Sequence, residues 1–441
     1  MNCKKIAPIV VFLLSIIFYD TQAQLLNTVK LDSFFKAVSS NSQVMGSVLI
    51  TKEGKSIYQK TIGYSQIDGE KKIPATLQTR YRIGSISKSF TAVMIFQLIE
   101  EKKISLDTKL SMFFSQLPNA DRITIAHLLN HSSGLSDYVN ENKEWITVPH
   151  TKEELLDKIA MVKPHFEPGA KQQYSNGGFL LLGYIIEKLT GQTYQAALKQ
   201  RIIDKIKLKN TIAATINNSQ TLEARPYIFN GSWVPIKDIY FPNVVGVGDI
   251  LSTPQDLSVF INSLANGKLV STQSYNYMKT FSDNNMLGMG LLKSHFYEKI
   301  LLGHDGGTYG SYSVMYMVPE DGVTFIITTN GMNYALNDVL LVLLKAYYNR
   351  PYEIPIQLKE EDLDELLGNY QSEEMPLKIS ITKSGPVLIA QASGQSAFFL
   401  DVINRNDFKR EQFDVLMKFD RARHEMTLVQ GGKSYRYVII K

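Results

Sequence analysis

The run Ser87 to Glu100 constrains this chain more than any other stretch. Its centre, Thr91-Ala92-Val93-Met94-Ile95-Phe96, is apolar on every face. A helix of that kind is stable only when it is buried all round. It therefore predicts a large core, and the 441 residues, 44% of them hydrophobic, are enough to build one. The run is opened by Gly84-Ser85-Ile86-Ser87-Lys88, which puts a hydroxyl and an amine three residues apart at the start of the helix. Positions i and i+3 share a helix face, so Lys88 can reach Ser85. A helix start also offers free N–H groups to a developing oxyanion. To act as a base Lys88 must be neutral near pH 7, which needs about 4–5 kcal/mol of discrimination against its charged form. Burial in an apolar helix supplies desolvation of that kind. Ser85 and Lys88 are thus the expected nucleophile and base.

Spacing alone does not single this pair out. At about 7% abundance for each residue, roughly two Ser-x-x-Lys matches arise by chance in such a chain. Three occur: Ser33/Lys36, Ser85/Lys88 and Ser380/Lys383. Ser33 lies on a polar early helix and Ser380 in an alternating strand. Only Ser85 follows a glycine and opens an apolar helix.

The formal charge of +5 is mild and no basic cluster stands out, which argues against a nucleic-acid partner. Residues 1–23 read as a signal peptide: Lys4 and Lys5, an apolar run from Ile6 to Phe18, then Thr21-Gln22-Ala23. That apolar run is shorter than the roughly 20 residues of a membrane span. The chain is therefore expected to be exported to the periplasm or outside the cell, with no stable membrane span after cleavage. Its one cysteine, Cys3, falls within the signal. A mature chain without thiols has no disulfide and no thiolate metal site.

Along the chain, Val44–Ile50 and Ser56–Gly63 read as a hairpin turning at Lys52-Glu53-Gly54. Residues 105–265 read as mostly helical, with a helix start at Ser252-Thr253-Pro254-Gln255-Asp256. Strands are expected at Met286–Leu292, Lys299–Gly303, Ser313–Val318 and Val323–Thr328, and a helix at Asn337–Tyr348. An α+β fold follows, with a mainly antiparallel sheet flanked by helices. Residues 24–350 form the expected catalytic domain and 351–366 a linker. Residues 367–441, with short alternating strands and Gly/Ser/Asn turns, form a small all-β barrel-like domain.

The segment Arg82 to Thr91 resembles the active-site segment of the penicillin-recognising serine hydrolases: class C β-lactamases, DD-carboxypeptidases, D-aminopeptidases and related esterases. That resemblance implies a β-lactamase/transpeptidase-like fold with an all-helical subdomain. It also implies a Tyr-x-Asn motif, matched in context by Tyr174-Ser175-Asn176, with Glu167-Pro168-Gly169 before it and Gly177-Gly178 after it. A third motif, His-x-Gly, is matched once, at His304-Asp305-Gly306, followed by Gly307. Lys383-Ser384-Gly385 mimics the Lys form but lies in the terminal domain. Ile123 to Leu135 and Gly248 to Thr253 are similar to supporting segments of the family.

The roles implied are these. Ser85 attacks the carbonyl, and Lys88 and Tyr174 share the acid–base work, with the first proton acceptor left open. Asn176 holds the substrate amide. His304 faces the leaving group or a substrate carboxylate. The N–H groups of Ser85 and Gly307, beside Gly306, form the oxyanion hole. Asp305 departs from the Thr found at this position in the peptidase branch, and an acid there would repel a carboxylate if it faced the cleft. Strand alternation points it away from His304.

The expected function is an acyl-enzyme serine hydrolase acting on a small-molecule or short-peptide ester or amide, without a cofactor or metal. A β-lactamase and a non-turnover penicillin-binding sensor are the alternatives. His127 and His131 have a metal-compatible spacing, but no Glu follows His127. Tyr309, Tyr312 and Tyr316 read as core aromatics. The loop Asp137–Pro149 and residues 225–247 shape the pocket and are not readable from motifs.

Overall fold

A computed structural model describes residues 26–139, 144–214, 222–282 and 285–440. The expected signal peptide lies outside the described residues. The main sheet is antiparallel along the path Leu292–Phe296, Lys299–Thr308, Ser311–Val318, Val323–Met332, Val44–Lys52, Lys55–Ile62. Its first hairpin turns through Glu53 (φ 50°) and Gly54 (φ 75°), the paired positive angles that match the twist of the flanking strands.

The two faces of this sheet carry separate cores. The helices Thr28–Ser40 and Leu336–Tyr347 cover one face through Phe34, Phe35, Val339 and Leu343. The other face carries a larger layer built around the helix Ser87–Glu100. Residues 87–98 of that helix are buried without exception, as its all-round apolar pattern requires. The helix Asn176–Thr190 packs beside it and the helix Pro254–Ala265 lies against it, with Phe90 stacked on Phe260 at 3.7 Å. Pro254–Ala265 starts as expected, its N-cap Thr253 accepting from the Asp256 N–H.

Two expectations need correction. A strand was expected over Met286–Leu292, but the strand begins only at Leu292. Gly288 and Gly290 explain the difference. Gly290 (φ 90°) lies so close to the nucleophile helix that a Cβ there would sit 2.2 Å from that of Ala92. The Ser89 hydroxyl donates to the Gly290 carbonyl at 2.7 Å. This stretch is spent on a close approach rather than on pairing. The reading of residues 105–265 as mostly helical also overlooks the short hairpin Tyr227–Phe229 and Trp233–Pro235, which joins the main sheet where Gly331 pairs with Tyr227. Three-residue strands are too short to show a period.

The C-terminal sheet has nine strands between Gly368 and Ile440 and is barrel-like and nearly closed. Its two edge strands, Phe398–Phe399 and Asp401–Val402, are separated only by Leu400. Leu358, Leu363 and Leu366 pack into its core. The barrel meets the main sheet at the short hairpin, where Phe229 and Trp233 pack on Val387 and Phe399. Arg410 donates to the Asn333 side chain across the same boundary.

Candidate active site

Ser85 sits in a 3-10 turn, Gly84–Ile86, that runs directly into the nucleophile helix. Two glycines allow the turn to press against the strand Lys299–Thr308. Gly84 has φ 51°, and a Cβ there would stand 2.7 Å from the Gly307 nitrogen. A Cβ on Gly306 would stand 2.0 Å from the Ile83 carbonyl oxygen. The Ser313 hydroxyl donates to that same carbonyl at 2.7 Å. The Ser85 turn and the Gly306-Gly307 edge are thereby held together. Pairing with Leu292–Phe296 ends at Gly303, so residues 304–308 present an edge without a strand partner on that side.

Lys88 is wholly buried, and its Nζ lies 2.8 Å from Ser85 Oγ and 3.2 Å from the Val247 carbonyl oxygen. Desolvation lowers its pKa to about 7, against the opposing pull of the Asp137 and Asp305 carboxylates. A shift of that size disfavours the ammonium by about 5 kcal/mol. Ser85 is only partly buried, which leaves it open to substrate.

Tyr174 hydrogen-bonds to the Ser85 hydroxyl, and burial raises its pKa, so it carries its proton at neutral pH. Its position is set from below by His131. The His131 carbonyl accepts from the Gln173 N–H at 2.9 Å, and its Nδ1 accepts from the Ser175 N–H at 3.1 Å. Its ring stacks on Tyr174 at 4.5 Å. His131 therefore grips both neighbours of Tyr174 as well as its ring. It adopts φ 60°, unusual for a residue with a Cβ. Burial holds its pKa well below the usual value, so it is neutral. His127, by contrast, completes a capping box with Thr124.

Asn176 opens the helix Asn176–Thr190 and donates through Nδ2 to both oxygens of Asp137, at 2.9 and 3.1 Å. This engages its amide nitrogen rather than its carbonyl oxygen. Gly177 and Gly178 follow because the helix start lies against the Ser136 and Leu128 carbonyls, 2.7 and 3.3 Å from where their Cβ atoms would be.

His304 is buried and paired in register with Met315. Its Nδ1 lies 2.5 Å from the Asp305 carbonyl oxygen. A carbonyl only accepts, so Nδ1 carries the hydrogen and Nε2 is left with its lone pair. Desolvation, reinforced by Lys88, lowers the His304 pKa to about 3, so the ring is uncharged. The Asp305 side chain is 54% exposed beside it.

Ser85, Lys88, Tyr174, Asn176, His304, Gly306 and Gly307 thus converge from three separate segments. Residues that share the motif spacing elsewhere do not join them. Lys383 pairs with Asp364 on the barrel surface. Tyr138, which also stands two before an Asn in the sequence, is buried with its hydroxyl donating to the Asn243 carbonyl. Sequence reasoning missed Asp137 as the partner of Asn176 and His131 as the seat of Tyr174. Neither residue carries a local pattern that reveals the contact.

The Beta-lactamase family matches residues 32–346. The chain belongs to that family. It is a serine hydrolase of the β-lactamase and penicillin-binding type. Over 325 residues it is 27% identical to a teichoic acid D-alanine hydrolase of Staphylococcus aureus (strain MRSA252), covering 71% of this chain and 77% of that protein. Among solved structures, it resembles an octameric penicillin-binding protein homologue from Pyrococcus abyssi (TM-score 0.67, 25% identity, 93% of this chain and 99% of that one). A span of 93% is too long to be met by residues 32–346 alone, so the likeness extends into the C-terminal sheet. It also resembles the D-amino acid amidase from Ochrobactrum anthropi SV3 in complex with L-phenylalanine amide (TM-score 0.65, 26% identity, 74% and 99%).

Proposed function

We propose that the protein is an exported hydrolase that forms an acyl-enzyme on Ser85 and cleaves esters or amides of D-amino acids. The observation that carries this reading is the 2.8 Å contact between Ser85 Oγ and a Lys88 amine that burial brings to a pKa of about 7. Lys88 is then the group able to take the Ser85 proton as Oγ attacks the carbonyl carbon. Tyr174, protonated and hydrogen-bonded to Ser85, is suited to deliver a proton to the leaving oxygen or nitrogen as the carbonyl–leaving-group bond breaks. The N–H groups of Ser85 and Gly307 are suited to hold the oxyanion. Water then cleaves the acyl–Oγ bond by the reverse proton path, releasing the acid and the Ser85 hydroxyl.

The third motif favours a substrate with an amine over one with a carboxylate. His304 is uncharged at neutral pH, and Asp305 beside it brings negative charge toward Lys88. Like charges would disfavour the carboxylate of a β-lactam or of a peptide ending in D-Ala, whereas a free α-ammonium would be welcomed. The names of two relatives, a D-alanine hydrolase and a D-amino acid amidase, agree with this preference.

The test compares p-nitroanilides and p-nitrophenyl esters of D- and L-alanine with N-acetylated forms and with a chromogenic cephalosporin, on wild type and Ser85→Ala. Turnover of the free D-amino-acyl compounds is expected, with a covalent mass increment on wild type alone. Absence of both turnover and adduct for every compound overturns the reading, and faster cephalosporin hydrolysis replaces it with a β-lactamase.

A further inference from the structure

The C-terminal barrel encloses a cavity of about 390 Å³, separate from the Ser85 site. Its walls are the inward residues of several strands, among them Ile379, Ala390, Met417, Leu428 and Tyr437. One wall is kept low by alanine. Ala390 and Ala392 are two apart on the strand Val387–Ala392, so both face inward, where larger side chains would fill the space. The mouth carries Gln395, Ser396 and Gln430. It is framed by Phe398 and Phe413, edge to face at 5.1 Å, and the Gln430 side chain holds the Phe413 turn by donating to its carbonyl at 2.9 Å.

Size separates this space from an ordinary packing gap. Well-packed interiors have few voids larger than a water molecule, and an apolar cavity of about 150 Å³ already holds benzene. By that scale about 15 non-hydrogen atoms fit here.

We infer that the barrel is a binding site for an uncharged, mainly apolar small molecule. The lining decides the class. Among the described residues no Asp, Glu, Lys, Arg or His lines the cavity, so a buried carboxylate or ammonium would find no counter-charge among them. An alkyl or aryl body fits against the apolar walls. The site also touches the rest of the molecule. Phe398 frames the mouth while its neighbour Phe399 packs at 5.0 Å against Phe229 of the main sheet's hairpin.

The test uses the full chain in a Ser85→Ala background, so that no probe is consumed. N-phenylnaphthylamine, a neutral apolar fluorophore, is titrated first, then displaced by methyl heptyl ketone, nonane or nonanoate. One saturable site is expected, displaced better by the ketone than by nonanoate. Ala392→Trp, which fills the mouth, should weaken fluorophore binding at least tenfold. Ser396→Trp serves the same purpose should Ala392→Trp lose its near-ultraviolet circular dichroism. No saturable binding to the folded wild type, or equal binding by the tryptophan variants, overturns the site.

Discussion

Ser85-x-x-Lys88 and Ser380-x-x-Lys383 have the same spacing in two regions of one chain, and only the first builds a reactive pair. In the first, a 3-10 turn and helix put both side chains on one face, and Lys88 is wholly buried 2.8 Å from Ser85 Oγ. Desolvation brings its pKa to about 7. In the second, the residues lie on a strand, where positions three apart point to opposite faces. Lys383 instead reaches Asp364 at 2.6 Å, and that hydrogen bond raises its pKa. The spacing supplies reach only where the backbone is helical. Burial without a salt-bridge partner, rather than the motif, is what lowers the pKa of a lysine.

The comparison can be broken by mutating both pairs. The largest effect is expected at the nucleophile. Ser85→Ala should cut kcat/KM on the reporter ester by about 10⁴-fold or more. Ser380→Ala should leave it within twofold, and a matching loss there would end the distinction. Next comes Lys88→Met, which should lower kcat by about 10³-fold or more. The same change should raise the melting temperature. A lysine whose folded pKa is depressed contributes a destabilisation that is fully present below pH 7 and fades as pH rises toward 10.5. Methionine removes that penalty. Lys383→Met removes only a surface ion pair, so calorimetry should show a melting temperature close to that of wild type, and the rate should hold.

A third measurement follows the proton itself. If Lys88 is the base, kcat/KM should rise tenfold per pH unit below about 7 and level off above it. His304, with a pKa of about 3, contributes no limb in that range. A limb near 10 instead would mean that Lys88 works in its charged form. The smallest effect is expected at His131, which seats Tyr174 without touching the reacting atoms. His131→Asn tolerates the positive φ but loses the stacking, and should lower kcat by about tenfold with the limb at pH 7 unmoved. A shifted limb would place His131 in the proton path.

Much of this was legible in the chain. The buried helix Ser87–Glu100, the strand carrying Ser313 and the all-β C-terminal region follow from apolar periodicity and turn residues, whereas the strand expected over Lys299–Gly303 runs on through His304 to Thr308. These are local signals. The contacts that were missed are between positions far apart in sequence. Asp137 meets Asn176 across 39 residues, and His131 meets Ser175 across 44. Gly288 and Gly290 misled because glycine serves a strand bulge and a close helix contact equally well.

By itself the sequence determined which residues could do chemistry and that one helix must be buried. It also settled the family, because three short motifs stand in a fixed order. Tertiary structure alone decided that Lys88 has no carboxylate close enough to cancel its desolvation, that His304 is neutral with its hydrogen on Nδ1, and that the barrel keeps an apolar cavity. The reason is the same in each case. Desolvation, tautomer choice and packing defects depend on the whole surroundings of an atom, and folding assembles those surroundings from segments that no local pattern connects.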